Sequence, residues 1–164
     1  MSSQRVGQGF DAHRFQAGRR MRLCGVDIAG EVGLAGHSDA DVALHAVADA
    51  VLGAAGLGDL GEHFPPDAPE WRDADSRLLL AQVVDKAAAV GLRPVNCDLT
   101  IIGERPRIAP HRQAMRRALA ELLGVPESCA SVKATTTEGL GWTGRKEGLA
   151  AMAVVLLERV GGGD

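Results

Sequence analysis

Gln4-Arg5-Val6-Gly7-Gln8-Gly9-Phe10-Asp11-Ala12-His13-Arg14-Phe15 is the run that decides the fold class of this chain. Apolar and polar residues partly alternate along it and glycines interrupt it, which predicts a glycine-softened strand rather than a helix. Gly18 and its basic neighbours predict a turn. Met21 to Ile28 then predicts a second strand returning beside the first, so one pairing at least is antiparallel. Residues 30–38 read as a glycine-rich loop, and Ser38 and Asp39 as N-cap chemistry for a helix over about 40–55. On that helix Val42, Leu44, Val47, Val51 and Leu52 supply most of the apolar surface. Residues 56–73, rich in Gly, Pro and Asp, predict a long irregular loop of the kind that carries function. A helix follows from Ala74 to Val90, closed near Gly91, then a strand from Val95 to Ile102 and a loop from Gly103 to Ala109. Pro110 to Leu123 predicts a third helix, Ser131 to Thr137 a strand, Gly139 to Gly148 a glycine-rich loop, and Leu149 to Arg159 a strongly apolar strand. Interleaved helices and strands with an antiparallel hairpin imply an α+β fold, a mixed β-sheet with helices packed on one face. The organisation expected is one domain over 1–160 and a disordered tail over 161–164.

A chain of 164 residues, 46% hydrophobic and 24% charged, can bury a core without disulfides or structural metal. Its net charge of −3 offers no basic field to nucleic acid or anionic lipid. With 3% aromatic residues and no Tyr it also has few stacking platforms. These properties argue against nucleic-acid and membrane partners. Cys24, Cys97 and Cys129, odd in number and far apart, read as reduced and mostly buried thiols. No signal peptide and no apolar run of membrane-spanning length is visible, so a cytoplasmic location is expected.

The sharpest chemical feature is Asp11-Ala12-His13. Residues two apart on a strand face the same way, so a carboxylate oxygen and an imidazole nitrogen can converge on one cation. Zinc accepts both donors and in catalytic sites usually takes three protein ligands, of which His45 on the first helix is the obvious third. Asp41 and Asp49, four residues either side, could orient its imidazole. The same residues also fit a solvated pair and an ordinary helix histidine. His37-Ser38, at the expected start of that helix, could hold a phosphate oxygen through backbone N–H groups and the helix dipole, or could be a loop residue and a cap. Lys133-Ala134-Thr135-Thr136-Thr137-Glu138 combines hydroxyls, a cation and a hard oxygen ligand suited to a diphosphate with Mg²⁺, or is an edge strand rich in β-formers. Gly7-Gln8-Gly9-Phe10-Asp11-Ala12 formally fits a dinucleotide fingerprint but lacks the long preceding strand and following helix. No Gly-x-Ser-x-Gly elbow is present.

These features occur in an order that resembles the 2-C-methyl-D-erythritol 2,4-cyclodiphosphate synthase family, from Arg5 to about Leu157. The resemblance is carried by Gly9-Phe10-Asp11-Ala12-His13, His37-Ser38-Asp39-Ala40-Asp41-Val42-Ala43-Leu44-His45, Gly58-Asp59-Leu60-Gly61 and Ala74-Asp75-Ser76. It continues through Asp98-Leu99-Thr100-Ile101-Ile102, Pro110-His111, Val132-Lys133-Ala134-Thr135-Thr136-Thr137-Glu138 and Gly141-Trp142-Thr143-Gly144-Arg145. It implies Zn²⁺ on Asp11, His13 and His45, Mg²⁺ or Mn²⁺ on Glu138, and His37 and Thr136 steadying the transition state. It also implies substrate contacts from Ser38, Asp59, Leu60, Gly61, Phe64, Asp67, Pro106, Arg107, Ile108, Ala109, Thr135, Thr137, Trp142 and Arg145.

The implied reaction is intramolecular phosphoryl transfer on a small-molecule cytidine diphosphate substrate, with release of CMP. The implied assembly is a homotrimer with active sites between subunits and a central channel, where Phe10, Arg145 and Glu147 could meet an isoprenoid diphosphate. Three stretches depart from the family pattern: Phe64-Pro65-Pro66-Asp67-Ala68-Pro69 in place of Phe-Pro-Asp-Thr-Asp-Pro, Arg105-Pro106-Arg107 in place of Ala-Pro-Lys, and Trp142 in place of a smaller aromatic. A zinc phosphoesterase giving a linear product and a trimeric binding protein without activity are the competing readings.

Overall fold

The computed structural model describes residues 3–161 except residue 31. In chain order the strands are β1 (Gln4–Ala17), β2 (Met21–Leu23), β3 (Val26–Ile28), β4 (Val32–Leu34), β5 (Leu92–Ile102), β6 (Ala130–Thr135) and β7 (Gly148–Arg159). The helices are α1 (Val42–Ala55), α2 (Leu60–His63), α3 (Ser76–Ala89), α4 (Arg112–Leu123) and α5 (Gly141–Gly144). The main sheet runs β4-β1-β7-β5-β6. Its pairings are antiparallel except β5 with β6, so the sheet is mixed and the fold is α+β. Of the tail expected at 161–164, residues 162–164 lie outside the described residues.

The expected pairing of Met21–Ile28 with β1 is not what forms. Cys24 and Gly25 both have positive φ, 55° and 74°. Two such residues make the tight turn whose twist matches a hairpin, so Met21–Ile28 folds on itself as β2–β3. The long partner of β1 is β7, in register from Gln4 opposite Glu158 to Arg14 opposite Gly148. β7 is thus a central strand. Leu149, Ala151, Ala153, Val155 and Leu157 are buried, whereas Met152 and Val154 stand on the opposite face, 44% and 46% exposed.

α1 is apolar nearly all round and almost wholly buried, as a helix packed between a sheet and a second helix must be. It begins two residues later than expected because Asp41, not Ser38 or Asp39, is its N-cap and accepts from Leu44 N. Asp41 also accepts from the N–H groups of Cys24 and Gly25, tying the β2–β3 turn to the helix. Burial pushes its carboxyl up to about 6 despite those bonds. The helix ends on Gly56, whose φ of 72° is the left-handed closure glycine favours.

The glycines of β1 let α1 lie directly on the strand. A Cβ at Gly9 would stand 1.9 Å from the carbonyl oxygen of Ala46, and one at Gly7 1.9 Å from that of Ala50. We therefore expect Gly9→Ala to destabilise the fold by about 3 kcal/mol through overpacking, read as a lower urea midpoint at unchanged m-value. The same substitution pushes α1, and with it His45, away from Asp11 and His13.

Candidate active site

The odd-numbered side chains of β1 face the helices, so Asp11 and His13 point to one side, and α1 crossing above Gly9 presents His45 to them. Asp11 Oδ2 lies 2.8 Å from His13 Nε2 and 3.0 Å from His45 Nδ1, and the two imidazole nitrogens are 3.2 Å apart. Donor atoms around a tetrahedral zinc ion stand about 3.3 Å apart for bonds near 2.0 Å. The triangle is therefore close to one face of such a site. It is a possible metal-holding group of three among the described residues. The backbone orients His13: its Nδ1–H donates to Ala35 O at 2.6 Å, so in the neutral ring Nε2 carries the lone pair that a cation would take. One carboxylate and two imidazoles are a donor set zinc accepts.

Electrostatics bind the trio in the metal-free chain as well. Burial opposes the charge on Asp11, but hydrogen bonds and attraction from His13 and His45 outweigh it and hold the carboxyl well below the usual range. Burial likewise opposes protonation of His13, yet Asp11 beside it and the Ala35 carbonyl raise its pKa above the ordinary value.

Asp41 and Asp49 do not orient His45. Asp41 is committed to three backbone N–H groups, and Asp49 accepts from Leu60 N at 2.7 Å, fixing the start of α2. The far nitrogen of His45, Nε2, instead meets Ser38 Oγ at 3.1 Å and Ser76 Oγ at 3.0 Å. The four-residue spacing of the two aspartates on α1 gave them proximity to His45. It could not reveal that backbone donors from other segments claim them first.

His13, His37, Ser38 and His45 line a cavity of about 210 Å³ together with Leu60, Gly61, Phe64, Pro66, Trp71 and Leu79. His37 and Ser38 precede α1 rather than opening it, and Asp41 closes the helix start, so they reach the cavity as loop residues. Arg19 holds this loop by donating to Gly36 O and Ser38 O, both at 2.9 Å, on either side of His37. Asp59 caps α2 by accepting from Glu62 N. Asp67 lies in the exposed 65–68 turn, where Pro66 rather than Asp67 lines the cavity.

A second cavity of about 240 Å³ collects Pro106, Arg107, Ile108, Ala109, Thr135 and Thr136, with Glu104, Arg112 and Leu149 among its walls. It shares no lining residue with the first. Thr137 serves the loop itself: its hydroxyl donates to Leu140 O and bonds Thr143 Oγ1, while Glu104 accepts from the N–H groups of Thr137 and Gly139. Glu138 is exposed, at a φ of 55°. Trp142 lies on α5, and Arg145 next to that helix pairs with Glu147 at 2.7 Å. Phe10 stands on the other face of the sheet, 52% exposed. Burial pushes the Cys97 thiol up to about 12 and the Cys24 thiol well above its ordinary value, so neither is a ready nucleophile.

Sequence reasoning gave no role to Arg19, Glu104 or Ser76. Each works through contacts between segments far apart in the chain, which leave no local signature.

Among known proteins, the model of the YgbB family matches residues 4–158. The bifunctional enzyme IspD/IspF of Hyphomonas neptunium is 57% identical over 93% of this chain, and the chain spans 40% of that protein's length. The 2-C-methyl-D-erythritol 2,4-cyclodiphosphate synthase of Symbiobacterium thermophilum is 55% identical over 93% of this chain and 97% of its own. Among solved structures, the bifunctional IspDF of Campylobacter jejuni superimposes with a TM-score of 0.92 at 42% identity, over 96% of this chain and 42% of that one. A CDP-bound 2C-methyl-D-erythritol-2,4-cyclodiphosphate synthase does so with a TM-score of 0.86 at 38% identity, over 94% and 100%. Among the described residues no helix is long and apolar enough to cross a membrane. With the motif order, the mixed sheet and the Asp-His-His cluster all in agreement, the chain belongs to the YgbB family, that of the 2-C-methyl-D-erythritol 2,4-cyclodiphosphate synthases.

Proposed function

We propose that this chain is a phosphorus–oxygen lyase of isoprenoid precursor biosynthesis. It converts 4-diphosphocytidyl-2-C-methyl-D-erythritol 2-phosphate to 2-C-methyl-D-erythritol 2,4-cyclodiphosphate and releases CMP. The observation that carries this reading is the Asp11, His13 and His45 triangle opening on a cavity whose rim bears His37 and Ser38. An oxygen of the 2-phosphate forms a bond to the β-phosphorus, and the bond from that phosphorus to the CMP oxygen breaks. The attacking phosphate is already ionised, so no protein base has to remove a proton.

The chain's task is to bring two anions together and hold the developing charge. Asp11, His13 and His45 would hold zinc, which would supply Lewis acidity and screen the repulsion between the phosphates. His37 and Ser38 orient the phosphate at the rim of the first cavity. Thr136 donates its hydroxyl to a phosphoryl oxygen, with Thr135 beside it. Glu138, a lone exposed carboxylate, suits Mg²⁺ or Mn²⁺, ions that take few protein ligands and complete their shell with substrate phosphates and water. Pro106 to Ala109 line the second cavity as the nucleotide half, consistent with the CDP carried by a structural relative.

His13 and His45 of the trio line one cavity, and Thr135 and Thr136 line a separate one in the same chain. The helix-free sheet face, moreover, leaves Val6, Phe10, Met152 and Val154 exposed. Both features support a homotrimer in which the metal half of one subunit meets the nucleotide half of the next. Phe10 on that face, with Arg145 and Glu147 near one end of β7, suits an isoprenoid diphosphate in a central channel.

Phosphorus NMR with the cytidyl substrate, Mg²⁺ and trace Zn²⁺ tests the reaction. A cyclic diphosphate with stoichiometric CMP is the expected result. A linear product with CMP would make the protein a hydrolase, and a zinc-loaded sample without turnover would make it a binding protein.

A further inference from the structure

We propose that Ser76 and Asp39 are positioning residues that together orient His45 toward the metal centre. The proposal rests on the reading above, in which Asp11, His13 and His45 hold a cation. The His45 ring turns Nδ1 toward Asp11 and His13, so a cation bound there requires the remaining proton on Nε2. Two hydroxyls flank Nε2 at nearly equal distances, Ser76 Oγ at 3.0 Å and Ser38 Oγ at 3.1 Å. What distinguishes them is where each sends its own hydrogen. Ser76 Oγ donates to Asp39 Oδ1 at 2.5 Å, and Asp39 Oδ2 accepts from Ser76 N at 3.2 Å. With its hydrogen committed to a carboxylate, the Ser76 oxygen has lone pairs to offer and becomes the acceptor for His45 Nε2–H. Ser38 Oγ already accepts from Ala40 N, and its own hydrogen remains available to the cavity it lines.

The pair is built rigidly. Ser76 is 1% exposed and lies at the first position of α3, where its N–H would otherwise lack a partner. Asp39 is brought to it by two backbone bonds between the segments preceding α1 and α3, Asp39 N to Ala74 O at 3.0 Å and Asp73 N to His37 O at 2.6 Å. Arg22 Nη1, 3.6 Å from Asp39 Oδ2, supplies the counter-charge. The arrangement does through a serine what a carboxylate does directly when it buttresses a metal-bound histidine: it fixes the tautomer, locks the ring angle and raises ligand basicity.

The test reads the ring and the metal rather than turnover. In zinc-loaded protein, ¹H–¹⁵N spectra should find the His45 Nε2–H slow to exchange with solvent in the wild type and fast-exchanging in Ser76→Ala. Zinc affinity from chelator competition should fall about 10- to 100-fold in Ser76→Ala. The visible spectrum of bound Co²⁺ should change with it. Asp39→Asn, which keeps an oxygen to accept from the serine, should recover most of the affinity that Asp39→Ala loses. Ser38→Ala should stay within about threefold of the wild type. Should Ser76→Ala fail to fold by circular dichroism, Asp39→Ala carries the same comparison. Unchanged Nε2–H exchange and affinity in Ser76→Ala, or a loss confined to Ser38→Ala, overturns the proposal. A wild-type protein that binds no zinc overturns the metal reading itself, and the positioning role with it.

Discussion

His45→Ala is expected to lower cyclisation by about 1000-fold or more while leaving the circular dichroism and urea midpoint close to those of the wild type. The large loss has a geometric cause. His45 is the only contribution of α1 to the Asp11–His13–His45 triangle, and without it two donors on one strand remain. Such a pair binds a divalent cation far more weakly than a closed trio. The mild effect on stability follows from the same coordinates. The hydrogen bonds of His45 go to Asp11, Ser38 and Ser76, and Ser76 keeps its bond to Asp39 when the ring is gone. Metal content per chain should fall in step with activity. A fully active His45→Ala protein would remove the trio from the mechanism.

The second large effect is a gain. Thr136→Ala disables the nucleotide half and His45→Ala the metal half. Each homomeric variant should be nearly inactive. If the two are co-expressed with different tags and the doubly tagged assemblies purified, a cyclic trimer of two kinds of chain contains one interface where both halves are intact. Such mixed assemblies should recover roughly a third of wild-type activity. The cause lies in the two cavities, which share no wall within one chain. If each chain completes its own site, no mixture recovers activity, and the shared-site arrangement is wrong.

Much of this protein follows from residues read in order. Alternation in Gln4–Phe15, the apolar run of the last strand, the apolar residues of α1, the closing glycines and the Asp-x-His spacing are local consequences of φ/ψ preference and side-chain direction. They locate most elements to within a few residues. The spacing also brings Asp11 and His13 to one face, because a strand has period two.

Only the tertiary structure decided the pairings. β1 lies beside β7 from the other end of the chain, and Met21–Ile28 folds on itself, because backbone hydrogen bonding carries no sequence label and a two-residue left-handed turn satisfied the hairpin locally. It likewise decided which side chains serve His45. Asp41 and Asp49, near on the helix, were claimed by buried N–H groups that cannot go unpaired. Ser76 and Asp39, separated by 37 residues, reached each other through the loop that joins α1 to α3. Residue spacing fixes which face of an element a group occupies, whereas the competition among buried donors and acceptors, settled only on folding, fixes what that group is free to do.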